Sequence, residues 1–196
     1  FGQEQNNIVR LSEVELNKNY AIVITTNSGL WRYLIGDTVR FTSLSPYRIR
    51  VTGRTKHHIN VFGEELMVEN TDKALAKACK IASVDVKDYT VAPVFMEGKE
   101  KGSHEWIIEF KHPPNDLSHF TTLLDQSLQE LNSDYEAKRQ NNMTLNELKI
   151  NIARTNLFYD WLKEQDKLGG QHKIPRLSNQ RDYVEQLLHL QSKIII

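Results

Sequence analysis

Residues 20–53 read YAIVITTNSGLWRYLIGDTVRFTSLSPYRIRVTG, and this stretch decides the fold of the first part of the chain. It is rich in β-branched and aromatic residues, and turn-forming residues interrupt it at three places, which is typical of antiparallel strands joined by short turns. The outer breaks are Asn27-Ser28-Gly29 and Pro46. Between them, Gly36-Asp37 fits a two-residue type II′ hairpin turn, because glycine comes first. The pattern predicts a β-meander with strands at 20–26, 30–35, 38–43 and 47–52.

The pattern changes after Gly53-Arg54, where helical periodicity begins to alternate with short strands. The order from there is β-α-β-β-α-β-α-α, so the expected fold class is α+β, with a two-layer second domain whose helices cover one face of a small sheet. The expected boundaries are 1–52 for the β portion, 53–58 for the connection and 59–196 for the second domain. Its helices are predicted at 64–80, 116–132, 156–168 and 180–190, and its strands at 59–62, 89–96, 105–111 and 148–153.

Composition excludes several broad classes of protein. Lys plus Arg and Asp plus Glu each number 25 in 196 residues, so the net charge is zero and nucleic-acid binding is not expected. No apolar run approaches the ~20 residues that span a bilayer, so no membrane association is expected. Cys79 is the single cysteine, and a reducing, cytoplasmic location follows as the expectation. The neutral composition favours a monomer, and the start at Phe1-Gly2 suggests an excerpt of a longer polypeptide.

Several common active-site chemistries have no matching motif. His57 and His58 are adjacent and would point to opposite faces of a strand, and the seven histidines show no metal-ligand spacing. There is no Gly-x-Ser-x-Gly elbow, and Cys79 lies among small residues of a predicted helix, where a buried hydrophobic role is expected. Neither the P-loop nor the dinucleotide glycine fingerprint is present. We therefore expect neither nucleophilic catalysis nor a metal site made of protein ligands.

Three polar patches remain, and each also has a purely structural explanation. The run at 30–37 ends in Asp37, whose carboxylate at a turn could accept hydrogen bonds from two ribose hydroxyls, although turns favour Asp for backbone reasons alone. Gly53-Arg54 offers a guanidinium that could fork onto ribose or phosphate oxygens, or it could form a solvated strand end. The run at 169–176 holds Lys173 shortly before a proline, and its glycines also fit a helix stop.

The order of these motifs along the chain carries a family resemblance. The residues concerned are Tyr20 to Thr26, Gly29-Leu30-Trp31-Arg32-Tyr33, Gly36-Asp37, Gly53-Arg54, Ile59-Asn60, Gly63-Glu64-Glu65 and Gly170-Gln171-x-Lys173-x-Pro175-Arg176. This set resembles the auxin-responsive acyl acid-amido synthetases of the Gretchen Hagen family, which belongs to the acyl-adenylate-forming enzymes. The resemblance covers almost the whole chain, but only the C-terminal part of a typical family member.

The resemblance implies an ATP-dependent ligase that uses ATP with magnesium. A carboxylic acid and ATP would give an acyl-adenylate and pyrophosphate, and an amino acid or another amine would then give an amide and AMP. The resemblance implies that Asp37 holds the ribose hydroxyls and that Arg32 and Tyr33 shape that turn. Arg54 would lie by the nucleotide. Lys173 is the expected catalytic residue, because a cation can neutralise charge that develops on the α-phosphate and the leaving pyrophosphate.

The resemblance also assigns each part of the chain to a domain. Residues 1–52 would be the C-terminal β portion of a larger adenylating domain. Residues 53–58 would be the hinge about which the small C-terminal domain, 59–196, rotates between half-reactions. Because the family's phosphate loop and most of its acyl pocket would precede Phe1, the chain alone is expected to be inactive. Two alternatives stay open: an acyl-CoA ligase-type adenylating enzyme, and a non-catalytic α+β binding or regulatory module.

Overall fold

The computed structural model describes residues 8–55, 58–96, 98, 100–140, 144–169 and 173–193, and for Arg54 it describes the backbone but not the side chain. The chain divides into two compact units, Phe1–His58 and Ile59–Ile196. The described part of the first unit is almost entirely strands and turns, whereas helices and strands mix in the second. The α+β class predicted from the sequence is therefore confirmed.

The first unit is an antiparallel meander of three strands, β1 (Asn19–Ile24), β2 (Tyr33–Leu44) and β3 (Tyr47–Arg54). A short 3-10 turn at Leu11–Glu13 precedes it. Val39 and Phe41 of β2 are buried, and the Thr38 and Thr52 hydroxyl oxygens lie 3.1 Å apart across β2 and β3. The predicted meander is present, with three strands in place of four.

The predicted hairpin turn at Gly36-Asp37 is wrong, because both residues lie inside the long strand β2. Between the flanking pairs of β1 and β2, the single residue Ile22 faces the three residues 35–37, which makes a β-bulge. Gly36 adopts a φ of +89° there, a conformation that residues with a side chain rarely adopt. The two predicted strands on either side of Gly36 are therefore one bulged strand. The flanking pairs are Ala21 with Thr38 and Val23 with Leu34.

The second unit contains five helices and a three-stranded sheet among its described residues. Two short strands come first, β4 (His58–Ile59) and β5 (Leu66–Met67). The sheet strands are β6 (Asp85–Val94), β7 (Ser103–His112) and β8 (Lys149–Ile152). The helices are α1 (Val68–Ala82), α2 (Leu117–Leu131), α3 (Ser133–Arg139), α4 (Leu157–Glu164) and α5 (Asp182–Ser192). The predicted order of elements is confirmed, with α3 and one short strand added.

Helices pack against both faces of the β6–β7–β8 sheet, which corrects the predicted two-layer arrangement. β7 is central and pairs antiparallel with β6 and parallel with β8. Its consecutive residues Trp106, Ile107 and Ile108 are all buried, and because neighbouring strand residues point to opposite faces, both faces must be covered. The second unit therefore has three layers.

Two core clusters correspond to the two faces. The first core cluster joins Trp106 and Ile108 to Ala74, Leu75 and Ala78 of α1 and to Phe120, Leu124 and Leu128 of α2. The second core cluster joins Ile107 to Leu157, Phe158 and Trp161 of α4 and to Val184, Leu187 and Leu190 of α5. Burial of these side chains is the main favourable contribution to the stability of the second unit.

Local hydrogen bonding moves two helix ends from their predicted positions. α1 begins at Val68, not near residue 64, and the Met67 N–H that precedes it donates to Asn70 Oδ1 at 3.0 Å. α4 ends at Glu164, where the left-handed Asp166 (φ +52°) reverses the chain in the manner of a Schellman motif. The predicted stop at Gly169-Gly170 therefore lies beyond the end of the helix.

Candidate functional site

The β-bulge on β2 places Asp37 beside the end of β3. Asp37 is half-buried, and its backbone pairs in register with that of Arg54. The Gly36 carbonyl accepts hydrogen bonds from the N–H of Thr55 at 2.8 Å and from its hydroxyl at 3.3 Å. These bonds tie the bulge to the residue that follows β3. Two of the site residues predicted from the sequence, Asp37 and Arg54, are thus neighbours along the backbone, although the Arg54 side chain lies outside the described structure.

Arg32 and Tyr33 lie at the loop between β1 and β2, not at the bulge. Arg32 is exposed with a φ of +46°, and its N–H donates to the Thr25 hydroxyl at 3.1 Å. Tyr33 begins β2, where it pairs with Ile24, and its ring is about half exposed. The structure therefore places these two residues at the loop between β1 and β2 rather than at the Gly36 bulge, and the role that the resemblance implies for them stays a prediction.

Lys173 is solvent-exposed at the start of an extended segment of the second unit. Gly170, Gln171 and His172, which precede it in the motif, lie outside the described residues. The next residue, Ile174, is buried in the second core cluster, and Leu177 is buried in the first. Because the two clusters lie on opposite faces of the sheet, the segment that follows Lys173 lies along the sheet edge at β6 and contributes side chains to both faces. The lysine thus projects from a point whose C-terminal side is fixed.

A buried acid–histidine pair, which the sequence did not predict, lies near the start of the second unit. Glu64 Oε1 lies 2.8 Å from His104 Nε2, and both side chains are fully shielded from solvent. The other carboxylate oxygen of Glu64 accepts a hydrogen bond from the Phe62 N–H at 2.7 Å. The turn Gly63-Glu64-Glu65 is thereby fixed to β7. The resemblance had drawn attention to Glu64, but only the strand pairing that brings His104 to it reveals its partner.

The environment of Glu64 keeps it ionised. Burial alone would raise the pKa of this carboxyl, but the hydrogen bond and the positive potential of His104, together with backbone N–H donors, outweigh burial and lower the pKa below 4.5. The carboxylate is therefore an acceptor, and His104 Nε2 carries the hydrogen between them. His104 Nδ1 is buried without a hydrogen-bond partner in the described structure. With no exposed atom, Glu64 is a structural group.

Cys79 and the remaining candidate ligand residues of the described structure are not arranged for catalysis or metal binding. Burial and the nearby Asp85 raise the pKa of the Cys79 thiol, which favours its unreactive protonated form. Nowhere in the described ranges do three or more His, Cys, Asp or Glu side chains converge as metal ligands would. Among the helices that the structure describes, none is long and apolar enough to cross a membrane.

Two family descriptions match the chain. The description "GH3 family C-terminal domain" matches residues 69–182, which is more than half of the chain. The description "GH3 family central domain" matches residues 2–54. The first match lies within the second compact unit and the second match lies within the first unit.

Individual relatives and solved structures agree with these matches. The chain is 31% identical to a jasmonoyl–L-amino acid synthetase of Oryza sativa subsp. japonica over 87% of the chain and 30% of the relative. It is 24% identical to an indole-3-acetic acid-amido synthetase of Arabidopsis thaliana over 89% of the chain and 31% of the relative. The solved structure of a GH3.15 acyl acid amido synthetase superposes with a TM-score of 0.70 at 22% identity, over 96% of the chain and 36% of that structure. The chain spans about three tenths of the length of these curated relatives.

Proposed function

The chain belongs to the GH3 family, and from that premise we propose that it is the C-terminal part of an ATP-dependent ligase that joins a carboxylic acid to an amine. The observation that carries the proposal is the family match across both compact units. In the first half-reaction a carboxylate oxygen attacks the α-phosphorus of ATP, and the bond to pyrophosphate breaks. In the second, the nitrogen of an amino acid or another amine attacks the acyl carbon, AMP leaves, and the nitrogen loses a proton.

Asp37 holds the ribose of the nucleotide in this proposal. A carboxylate is an acceptor only, and its two oxygens suit a pair of neighbouring hydroxyl donors. The support is the bulge itself, because the Thr55 hydrogen bonds to the Gly36 carbonyl fix the backbone before Asp37, and the pairing of Thr38 with Ala21 fixes it after Asp37. Arg54, whose backbone pairs with that of Asp37, lies by the same nucleotide. Arg32 and Tyr33 contribute from the loop between β1 and β2, where both are exposed.

Lys173 supplies the positive charge for adenylation. An ammonium group near the α-phosphate stabilises the charge that develops as pyrophosphate departs, and the loss of such an interaction costs on the order of 10²–10³ in rate. The exposure of Lys173 supports the assignment, because an exposed cation is free to approach a ligand. None of the ion pairs that the structure describes includes Lys173, so no described ion pair has to break when Lys173 approaches a ligand.

A hinge at 53–58 moves the second unit between the two half-reactions. The division of the chain into compact units at His58 supports this position. β3 ends at Arg54, and the Thr55 N–H extends the hydrogen bonding of the meander by one more bond, to the Gly36 carbonyl. Lys56 and His57 of the proposed hinge lie outside the described residues. Rotation about a few residues of this kind is the usual way in which a domain closes over a ligand.

In this proposal Mg²⁺ enters bound to ATP and not at a dedicated metal site made of side chains of this chain. Mg²⁺ typically keeps several waters and is held by substrate phosphates and one or two carboxylates. In this proposal the phosphates of ATP hold the Mg²⁺ ion, and none of the residues assigned above is a metal ligand. The chemistry that ATP supplies is activation of the acid as a mixed anhydride.

The partners are small molecules, and the enzyme works as a cytoplasmic monomer. ATP and amino acids are abundant in the cytoplasm, and the single Cys79 fits a reducing compartment. The zero net charge gives no basis for nucleic-acid binding. Light scattering of the complete protein tests the monomer, for which one molecular mass independent of concentration is expected.

The experiment that tests the function uses the complete protein that contains this chain. Pyrophosphate release is measured across a panel of carboxylic acids, with amino acids, hydroxylamine and coenzyme A as acceptors in separate reactions. Amide formation with amino acids is expected. Transfer to coenzyme A alone would identify the acyl-CoA ligase alternative, and no pyrophosphate release with any acid would favour a non-catalytic module. Lys173→Ala is expected to slow pyrophosphate release far more than aminolysis of a supplied acyl-adenylate, and equal losses would contradict its role.

A further inference from the structure

The segment that follows Lys173 is attached to β6 as a short parallel strand. The Val91 N–H donates to the Arg176 carbonyl at 2.9 Å, and the Ser178 N–H donates to the Val91 carbonyl at 3.1 Å, which forms a parallel bridge at Leu177. The Thr90 hydroxyl adds a bond to the Pro175 carbonyl at 2.7 Å. These backbone bonds fix the segment along the sheet edge.

Arg176 adds a side-chain clamp to the same strand. Its Nη1 donates to the Asp88 carboxylate and, at 3.0 Å, to the Tyr89 carbonyl. Its guanidinium also lies over the Tyr89 ring, 4.5 Å from the ring centroid, which adds a cation–π interaction. An arginine that bonds a carboxylate and stacks on a ring at once has little freedom to move, and a lysine cannot reproduce this geometry.

The ring beneath Arg176 is itself held rigidly. Tyr89 is 3% exposed and stacks on Trp106 of the first core cluster, with ring centroids 5.3 Å apart. Its hydroxyl donates to Asp72 Oδ1 at 2.6 Å and lies 2.8 Å from the Thr71 hydroxyl on α1. The guanidinium therefore rests on a surface that is fixed to the core.

We propose that Arg176 is a positioning residue that fixes the segment 174–178 to β6 and thereby sets where Lys173 projects from the second unit. The inference rests on the proposed function of Lys173. Between the two residues lie only the buried Ile174 and the conformationally restricted Pro175. Three kinds of contact hold the residues that follow Lys173: the backbone bonds to β6, the side-chain contacts of Arg176, and burial in both core clusters. Lys173 therefore moves with the whole second unit and not on a freely mobile loop.

The test compares Arg176→Lys and Asp88→Asn with Arg181→Lys in the complete protein. Arg181 is a matched control, because it also bonds a β6 carbonyl (Pro93, 3.0 Å) and a carboxylate (Glu105, 2.6 Å) but lies beyond the segment. Both test variants are expected to slow the turnover of pyrophosphate release about tenfold, with aminolysis of a supplied acyl-adenylate changed by less than about twofold and the KM for ATP nearly constant. Arg181→Lys is expected to leave the ratio of the two half-reactions unchanged.

Amide hydrogen exchange gives a readout that does not depend on activity. Arg176→Lys is expected to accelerate exchange at the amides of Val91 and Ser178, whereas Arg181→Lys is not. Equal slowing of both half-reactions, a loss no larger than that of Arg181→Lys, or unchanged exchange at these amides would overturn the inference. Lys173→Ala separates the two proposals: if it leaves pyrophosphate release intact, the role proposed for Lys173 is wrong, and if it slows release while Arg176→Lys does not, only the positioning role of Arg176 is wrong.

Discussion

Glu64 and His104 form a hydrogen-bonded pair, with Glu64 Oε1 2.8 Å from His104 Nε2 and neither side chain exposed. The His104 ring stacks on the Tyr135 ring of α3, with centroids 5.5 Å apart, and the Phe62 ring lies tilted against the His104 ring, with centroids 6.3 Å apart. The pair therefore links the turn before α1, the central strand β7 and α3. If either partner of such a pair is removed, the other stays buried without its hydrogen bond, and the uncompensated desolvation destabilises the fold.

Glu64→Gln is expected to lower the free energy of unfolding by about 1–3 kcal/mol at pH 7, because the amide keeps the shape but loses the charge-assisted bonds. The pKa of Glu64 is lowered in the folded chain. The stabilisation is therefore present above pH 4.5, the ordinary pKa, and is lost as the pH falls from there through the lower folded value. Urea unfolding followed by tryptophan fluorescence at pH 7 and below pH 4 is the measurement.

Glu130→Gln is the control for Glu64→Gln. Glu130 pairs with Lys77 at the surface, where its side chain is 61% exposed, so the change is expected to stay within about 0.5 kcal/mol at both pH values. If Glu64→Gln lowers the free energy of unfolding as much at low pH as at pH 7, then the shape of Glu64, and not its charge, stabilises the fold.

Gly102→Ala is expected to destabilise the second unit by about 1–3 kcal/mol through crowding. A Cβ at this position would lie 2.4 Å from the Phe62 ring, which packs against the first core cluster. Urea unfolding compares Gly102→Ala in the wild type with Gly102→Ala in a Phe62→Leu background, where the smaller side chain leaves room for the methyl group. Gly102→Ala should lower the free energy of unfolding less in the Phe62→Leu background than in the wild type. Equal costs in both backgrounds would mean that the ring is not the obstacle.

Gly36→Ala tests the bulge that presents Asp37. The φ of +89° at Gly36 strains any residue with a side chain, although the nearest atom to a new Cβ, the Thr55 hydroxyl oxygen, is 3.9 Å away. We expect a loss of stability of about 1–3 kcal/mol and, in the complete protein, a KM for ATP raised about tenfold or more by displacement of the carboxylate. Steady-state pyrophosphate release is the assay.

Gly98→Ala is the matched control for the bulge. Gly98 has a φ of +59° with no atom within 4 Å of a new Cβ, so it also carries backbone strain, and it lies between β6 and β7, outside the residues assigned to the nucleotide. It should lose stability to a similar extent without a change in the KM for ATP. If both variants raise the KM equally, the strain acts through general destabilisation and the bulge has no particular role.

Local patterns predicted the order of elements because strand and helix periodicities are local properties. They failed where one pattern suits two structures. Gly36-Asp37 suits a turn and a bulge equally well, since both need a positive φ. The run Trp106, Ile107 and Ile108 does contain the signal for a strand that is covered on both faces, because a half-exposed strand would alternate with polar residues. The sequence of β7 therefore argues against a two-layer arrangement.

Long-range pairing explains what the sequence could not provide at the candidate site. Arg176 and Asp88 are 88 residues apart, and Glu64 and His104 are 40 apart. Which carboxylate meets which cation depends on strand register and on which distant segments the fold places side by side, and neither is encoded within a local window. The motif identified Arg176 as a member of a run, while its partners on β6 became evident only from the fold.

Tyr135→Phe is expected to lower the free energy of unfolding by about 1–2 kcal/mol at neutral pH, because the buried Tyr135 hydroxyl donates to Asp125 Oδ1 at 2.6 Å. Burial, followed by the charge of Asp125, raises the pKa of this phenol well above 10.0. The contribution is therefore complete below pH 10 and is lost as the pH rises above that value, where the unfolded chain ionises first. The difference in the free energy of unfolding between the wild type and Tyr135→Phe should narrow by up to about 1.4 kcal/mol per pH unit above 10.

Tyr159→Phe is the control for Tyr135→Phe. Tyr159 is 54% exposed, so the substitution should change the free energy of unfolding only slightly, and that change should not depend on pH. A gap for Tyr135→Phe that stays constant from pH 8 to about pH 11 in urea unfolding would contradict the assignment, because a phenol with a raised pKa must couple unfolding to proton release.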